Sequence, residues 1–361
     1  MKELSTRALR QQSSALIIAG GFGARFWPAA RAGRPKPLFS LNGRTSLLDD
    51  TIARMQPLIA PERIFVLVPS ELEDVFAGAV RDRIPRANLL LEPERRGTAV
   101  AIAYGCAIIK SRLGEGLIAV VPADHYIHPA AAFRHTMAAG LRLAARRNSD
   151  GSIVIIGVPP TRPDTGYGYL ETGARLQGGF KVRKFVEKPA LTAARSMLRS
   201  GKFLWNAGMF LMSTATLESE LARHCPRLLA ALPTLVSQAE GWEQLYKGLK
   251  FDSFDYEVIE KSRNVAAVRA AFSWNDVGSW DGLWQTLRDG AGNALSGTVV
   301  AMDSKQVLAR GDGRRLMVLL GVEDLVVVDT PDALLVVSRG RTQDVKQVVK
   351  ELRRRRLTGY L

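Results

Sequence analysis

Short apolar runs rich in Val, Ile and Leu alternate with helix-periodic segments through the first two-thirds of the chain. The runs Ala15–Ala19, Ile64–Pro69, Asn88–Leu91, Leu117–Pro122 and Ser152–Gly157 have the length and continuous hydrophobicity of strands buried on both faces. Between them, Ser46–Gln56, Glu71–Arg81, Thr98–Leu113 and Ala131–Arg147 carry helical periodicity with few breakers. Strand–helix alternation predicts an α/β fold with a doubly wound, mostly parallel sheet and right-handed crossovers. In such sheets ligands bind beyond the carboxyl ends of the strands.

After Gly157 the pattern changes. Tyr167–Glu171, Phe180–Glu187 and Gly208–Met212 read as strands separated by loops of Gly, Pro and Asn, and predict a smaller antiparallel layer over one half of the sheet. The stretch from Gly290 to Asn293 reads as a linker. Beyond it, Thr298–Met302, Gln306–Ala309, Leu316–Gly321, Leu325–Asp329 and Ala333–Val337 are short strands at nearly regular spacing, followed by a helix over Thr342–Arg356. The expected organisation is a flexible N-terminal tail over 1–14, a catalytic domain over 15–289, and a small β-rich C-terminal domain over 290–361 that ends in a helix.

The first strand opens directly into Gly20, Gly21 and Gly23, with Arg25 two residues on and Lys36 between Pro35 and Pro37. Glycines let backbone N–H groups approach phosphate oxygens closely, and the two cations would add charge for a triphosphate. The loop is neither of the commonest phosphate loops. No GxxxxGK[ST] occurs, and the run Gly21-Phe22-Gly23-Ala24-Arg25-Phe26 lacks the last glycine of GxGxxG. The competing reading is an ordinary glycine turn with solvated cations.

Composition bounds the rest. The 361 residues carry 50 basic and 35 acidic side chains, a net charge of +15. Such a surface suits anionic substrates such as a nucleoside triphosphate and a sugar phosphate. No aromatic-interleaved basic stripe is present, so nucleic acid is not expected as a partner. The run Arg353–Arg356 reads as a solvated helix end. Cys106 and Cys225 belong to no CxxC pair, and His125, His128, His135 and His224 lack metal-ligand spacing. With a polar start and no apolar run long enough for a leader or a span, the expected location is the cytoplasm, away from membrane.

Two carboxylates are candidates for Mg2+. Asp124 follows the strand Leu117–Val121 at its carboxyl end, and Asp276 lies in the run Trp274-Asn-Asp-Val-Gly-Ser-Trp280. Hard cations need only one or two protein carboxylates when the substrate brings phosphate oxygens. The local alternative has the two tryptophans packing while Asp276 caps a helix that starts near Ser279. Glu187, at the end of another strand, could accept hydrogen bonds from sugar hydroxyls, and Lys188 could hold a phosphate. Asn206 with Gly208, and Gly166 with Gly168, offer amide and backbone groups of the same kind. No Ser-His-Asp or Cys-His arrangement stands out, which disfavours covalent catalysis.

Assembled, these residues resemble the sugar nucleotidylyltransferases, and among them the mannose-1-phosphate guanylyltransferase group of the short type. The likeness runs in order through AGGFGARFWPAARAGRPKPL, LEPERRGTAVAIA, VPADHYI, PTRPDTGYGYLE, FVEKPA, FLWNAGMFL, FDYEVIEKS, WNDVGSW and VVVDTPDALLVV, from Leu16 to about Val337. The resemblance implies the Rossmann-like nucleotide-diphospho-sugar transferase fold. It also implies transfer of GMP from GTP to mannose 1-phosphate, giving GDP-mannose and pyrophosphate with Mg2+ as cofactor. Gly20, Gly21 and Gly23 would cradle the triphosphate, Arg25 the departing phosphates and Lys36 the reacting one. Asp124 and Asp276 would hold the metal, and Gly168, Glu187, Lys188 and Asn206 the sugar phosphate. Base selection would lie between Glu92 and Thr98, with Gly97 where the family usually has Asn. There a carboxylate at Glu92 could accept from guanine N1–H and the 2-amino group. Phe22, Ala24 and Ala30 also depart from the hydroxyl-bearing residues usual in the family, which leaves the backbone donors in place. The β-rich tail leaves room for a homodimer. Glucose or heptose 1-phosphate, another nucleotide, or a non-catalytic regulatory subunit stay open as alternatives.

Overall fold

The computed structural model describes residues 5–41, 43–146 and 151–361. By packing, the chain divides into two units. The first holds residues 1–20, 49–123 and 127–274, and the second holds 21–48, 124–126 and 275–361. Each is described on its own.

The first unit is built on strands β1 (Ser13–Ile18), β2 (Ile64–Pro69), β3 (Leu89–Glu92) and β4 (Leu117–Pro122). Past a short strand β5 (Tyr126–His128), it continues with β6 (Ile153–Val158), β7 (Tyr169–Leu176), β8 (Gly179–Val186), β9 (Phe203–Ser213) and β10 (Val265–Arg269). Among the described residues these form one nine-stranded sheet of order β3-β2-β1-β4-β9-β6-β10-β8-β7. The half from β3 to β4 is parallel throughout. Its strands are Val, Ile and Leu on both faces, and every residue of β2 is buried, as helix-covered parallel strands require. The parallel pattern stops at β9, which runs antiparallel to both β4 and β6.

The expected separate antiparallel layer does not form. β7 and β8 pair with each other, β8 pairs with β10 and β7 with β9, so they extend the same sheet. β9 is eleven residues long, which lets it serve β4 and β6 along one stretch and β7 along another. β10 was not legible in advance: its run of Val and Ala follows a polar turn without a strong alternation. The helix Thr98–Leu113 has the predicted bounds, and the neighbouring one spans Ala130–Ala144, with Arg147 outside the described residues. The helices Leu191–Ser200, Thr214–His224, Pro226–Ser237 and Trp242–Gly248 follow, and several of their apolar faces close one core with Leu16, Phe65, Val120 and Phe210. Thr6–Gln12, expected within the tail, is a helix. Ser5 caps it by accepting from Ala8 N at 3.2 Å, and Leu9 is fully buried.

The second unit contains the short strand β11 (Ser273–Asn275) in part, then β12 (Ala294–Ser296), β13 (Val299–Met302), β14 (Leu308–Arg310), β15 (Met317–Leu320), β16 (Leu325–Asp329) and β17 (Leu334–Ser338). β12, β14 and β16 pair in parallel, as do β13 and β15, and β17 closes the larger sheet antiparallel to β16. Each winding returns the chain to the same register, so Val307, Ala309, Met317, Leu319 and Val327 stack into a small core. The last helix, Val345–Arg354, is solvated at its basic end, where Arg354 and Arg355 pair with Glu351 at 2.6 and 2.7 Å. Residues 21–48 join this unit through an aromatic cluster. Phe26, Phe39 and Trp280 meet at centroid distances of 4.8 to 5.8 Å, and Trp280 Nε1 donates to Trp27 O at 3.1 Å.

Candidate active site

In the second unit the glycine loop turns through Gly23, whose φ is +69°. A Cβ there would stand 2.4 Å from Lys36 Cβ, so only glycine lets the lysine stem lie against the loop. The stem is buried, and the ammonium sits 5.7 Å over the Phe26 ring. Lys36 Nζ donates to Asp124 Oδ2 at 2.7 Å and to the backbone carbonyl of Asp276 at 2.8 Å. The structure therefore brings the lysine to the Asp124 carboxylate and to the main chain of Asp276. Burial alone would push the Asp124 carboxyl up; the charges of Lys36 and of His125, with the hydrogen bond from Lys36, hold it below the ordinary carboxylate range.

The segment carrying Asp276 is locally strained. Asn275 Oδ1 accepts from Val277 N at 2.7 Å, and Val277 takes a φ of +46°, which a β-branched residue rarely adopts. Its side chain is fully buried among Phe26, Leu47 and Trp280, and that packing holds the turn. Gly278 N donates to Asp276 Oδ1 at 3.3 Å. The helix Trp280–Leu287 is capped by Ser279, whose hydroxyl accepts from Gly282 N, so Asp276 is not needed as its cap. Arg25 lies exposed on the one-turn helix Ala24–Phe26, with no hydrogen bond or ion pair among the described residues.

Two further groups lie in the first unit. At the end of β3, Glu92 is buried, with Oε2 accepting from Tyr246 OH at 2.9 Å and Oε1 facing Gly20. Burial raises its carboxyl above the usual range, against the opposing pull of the Tyr246 hydrogen bond. Gly97 opens the helix Thr98–Leu113 with a φ of +87°, and a Cβ there would meet the carbonyls of Phe251 and Asp252 at 2.8 Å. Thr98 Oγ1 accepts from Phe254 N at 2.9 Å.

The second group gathers the residues expected to hold a sugar phosphate. The Glu187 side chain is only 7% exposed and pairs with Lys188 at 2.8 Å, while Lys188 reaches solvent from a backbone φ of +42°. A side chain at Gly168 would collide with Glu187 Oε2 at 2.6 Å, and the Gly168 carbonyl accepts from Asn206 N at 2.8 Å. The Asn206 amide is held twice: Oδ1 accepts from Gly208 N at 2.8 Å, and Nδ2 donates to Asp255 Oδ1 at 2.7 Å.

Asp255 escaped the sequence reading as a site residue, although it lies inside the motif FDYEVIEKS. Burial, then the neighbouring Glu187 charge, push its carboxyl up to about 6, with the Asn206 hydrogen bond pulling the other way. Also unforeseen is an aromatic wall beside this group. Tyr167 packs edge-on at 5.1 Å against both Trp205 and Trp274, and Arg162 lies 5.2 Å over the Trp205 ring. The buried Trp205 Nε1 has no hydrogen-bond partner among the described residues.

Asp124 and Asp276 suit a hard divalent cation, whose remaining positions phosphate oxygens and water can fill. Among the described residues no set of three or more His, Cys, Asp and Glu gathers as a closed metal cage.

The nucleotidyl transferase family model matches residues 14–291, and a model of the MannoseP isomerase/GMP-like beta-helix domain matches residues 297–352. The chain is 37% identical over 355 residues to the xanthan biosynthesis protein XanB of Xanthomonas campestris pv. campestris (strain B100), covering 94% of this chain and 73% of XanB. It is 35% identical over 359 residues to a mannose-1-phosphate guanylyltransferase of Escherichia coli, covering 96% and 75%. A crystal structure described as mannose-1-phosphate geranyltransferase from Thermus thermophilus superposes with a TM-score of 0.86 at 36% identity, covering 95% of this chain and 99% of that one. The glycine loop, the lysine–aspartate centre and the Glu187–Asn206 group all lie within the matched residues, and the chain belongs to the nucleotidyl transferase family.

Proposed function

We propose that this chain transfers GMP from GTP to mannose 1-phosphate, forming GDP-mannose and releasing pyrophosphate. The observation that carries the reading is Lys36, buried in its stem and bonded at once to the Asp124 carboxylate and the Asp276 backbone. An oxygen of the ionised sugar phosphate attacks the α-phosphorus. The new O–P bond forms in line as the bond to the β-phosphate oxygen breaks, and pyrophosphate carries the electron pair away. No strong general base is required, so catalysis is positioning and charge neutralisation.

Gly20, Gly21 and Gly23 cradle the triphosphate through backbone N–H groups. Lys36 has three donors and spends two on the protein, which leaves one for the α-phosphate. Arg25, exposed and unpaired among the described residues, takes the departing phosphates. Asp124 and Asp276 would hold Mg2+, which would supply charge neutralisation for the reacting phosphate. Glu187 and Asn206 accept from and donate to sugar hydroxyls, Lys188 contacts the sugar phosphate, and Gly168 gives the Glu187 carboxylate its room. On the nucleotide side, Glu92, Gly97 and Thr98 flank the base. Tyr246 already occupies one Glu92 oxygen, so the guanine contact falls to the other.

We also propose a homodimer. Its support is the outward row Val300, Met302, Val318 and Leu320 on β13 and β15, a contiguous apolar face in which Leu320 is 64% exposed. A cytoplasmic location is supported by Cys106 and Cys225, both free and buried. No helix among the described residues is long and apolar enough to cross a membrane.

The test is pyrophosphate release with Mg2+ across a matrix of nucleoside triphosphates and sugar 1-phosphates. A maximum at GTP with mannose 1-phosphate is expected. A maximum elsewhere overturns the substrate assignment, and no release from folded protein overturns the enzyme reading. In the same assay Lys36→Ala should lower turnover at least about 100-fold, the scale of losing one preorganised charge contact to the transition state. Near-normal turnover would remove Lys36 from the reacting centre.

A further inference from the structure

The segment Phe251–Asp255 touches both groups of the first unit within five residues. At its start, the carbonyls of Phe251 and Asp252 lie so close to Gly97 that no Cβ would fit. One turn on, Phe254 N donates to Thr98 Oγ1 at 2.9 Å, at the first residue of the helix Thr98–Leu113. The Phe254 ring is fully buried and packs edge-on against Phe210 of β9 at 5.1 Å. The next residue, Asp255, accepts from Asn206 Nδ2 at 2.7 Å, and Asn206 is on the same strand β9. Val258 and Ile259 then anchor the following turn in the core.

We infer that Phe251–Asp255 is a strap that positions the sugar-side amide of Asn206 and ties its setting to the nucleotide-side residue Thr98. The inference rests on the placement of nucleotide and sugar phosphate proposed above. Neither Asp255 nor Phe254 is assigned to substrate; both act through the residues they hold. Asp255 fixes which way the Asn206 amide points. With Oδ1 on Gly208 and one N–H on Asp255, the amide keeps one donor and one acceptor position for a pair of neighbouring hydroxyls. Phe254, rigid between Thr98 and β9, fixes where Asp255 sits. A shift at the start of the Thr98 helix must therefore move the acceptor of the Asn206 amide, because the buried phenyl ring leaves the segment no slack.

Steady-state kinetics on the full chain test this, with KM read separately for GTP and for mannose 1-phosphate. Asp255→Ala should raise the KM for mannose 1-phosphate about tenfold, the effect of losing one hydrogen bond to a charged group. Asp255→Asn, which keeps an acceptor oxygen for Asn206, should bring it back to within about threefold of the parent. Thr98→Val removes the oxygen that holds Phe254 N, and should raise the KM for mannose 1-phosphate several-fold although Thr98 lies on the nucleotide side. Thr98→Ser should restore it. The exposed position of Thr98 makes this pair informative even where Asp255→Ala does not fold. A Thr98→Val effect confined to GTP, or an Asp255→Asn variant as impaired as Asp255→Ala, overturns the strap. Asn206→Ala separates the two readings: an unchanged KM for mannose 1-phosphate there would sink the sugar-side assignment itself.

Discussion

The centre of the second unit depends on one buried lysine serving two aspartates by different atoms, a carboxylate oxygen of Asp124 and a backbone oxygen of Asp276. The arrangement explains why Val277 tolerates a left-handed backbone: relaxing that residue would move the Asp276 carbonyl that Lys36 holds. Asp255 illustrates a second compromise between stability and use. Its carboxyl is raised to about 6 by burial and by Glu187, with Asn206 and Lys188 acting in the opposite sense. A carboxyl whose folded value lies above its unfolded one binds more protons when folded, so the chain loses stability as pH rises from about 4 through 6. Asp255→Asn removes that penalty. The variant should be more stable than the parent at pH 7.5 by on the order of 2 kcal/mol, with the difference gone near pH 4. Urea denaturation at the two pH values measures it, and equal stabilities at pH 7.5 would show the carboxyl is not penalised by folding.

At the scale of elements, the helix Thr98–Leu113 is set by what precedes it. Gly97 occupies the cap position without a side chain to bond the first turn, and its value lies in a positive φ and in clearance for the Phe251 and Asp252 carbonyls. Gly97→Ala should cost at least about 2 kcal/mol, since it adds both a strained backbone and a clash with main-chain atoms that cannot swing away. A melting temperature within a degree of the parent would mean the segment 251–252 yields easily. Strand positions followed from composition where both faces are buried: β2, β4 and β16 have the bounds read from the sequence. The helices between Leu191 and Gly248 have no clear signal in the sequence. Pro226 and Gly241 stand at helix starts and Pro233 lies inside one helix, and the three helices from Thr214 to Gly248 are stabilised by packing into the core.

At the scale of the whole molecule, the chain order of domains and the packing units differ. Family resemblance changes near residues 291–297, whereas the glycine-loop segment 21–48 packs with residues 275–361. The loop that should carry GTP phosphates is thus fixed by Trp280, Leu308 and Val326 of the C-terminal region, an arrangement that gives that region a part in holding the loop. The proposed dimer belongs to this scale too. Sedimentation of the parent should give twice the chain mass, and the pair Val318→Lys and Leu320→Lys on the outer face of β15 should give the chain mass. A monomeric parent at micromolar concentration would return that face to ordinary exposed surface.

The α/β class, the parallel half of the sheet, the glycine loop with its basic residues and the short C-terminal strands are all legible in the sequence, because each rests on local signals: hydrophobic period, turn residues and short motif spacing. The sequence also supplies every member of the lysine–aspartate centre, though not the bonds between them, since Lys36, Asp124 and Asp276 are far apart in the chain and meet only by folding. Tertiary structure alone decided that β7 and β8 join the main sheet, that Glu92 is buried against Tyr246, and that Asp255 holds Asn206. These are contacts between residues from about 50 to more than 150 positions apart, or pairings chosen among strands of similar composition. Composition gives such residues no distinguishing mark, because their roles come from the neighbours that burial brings to them.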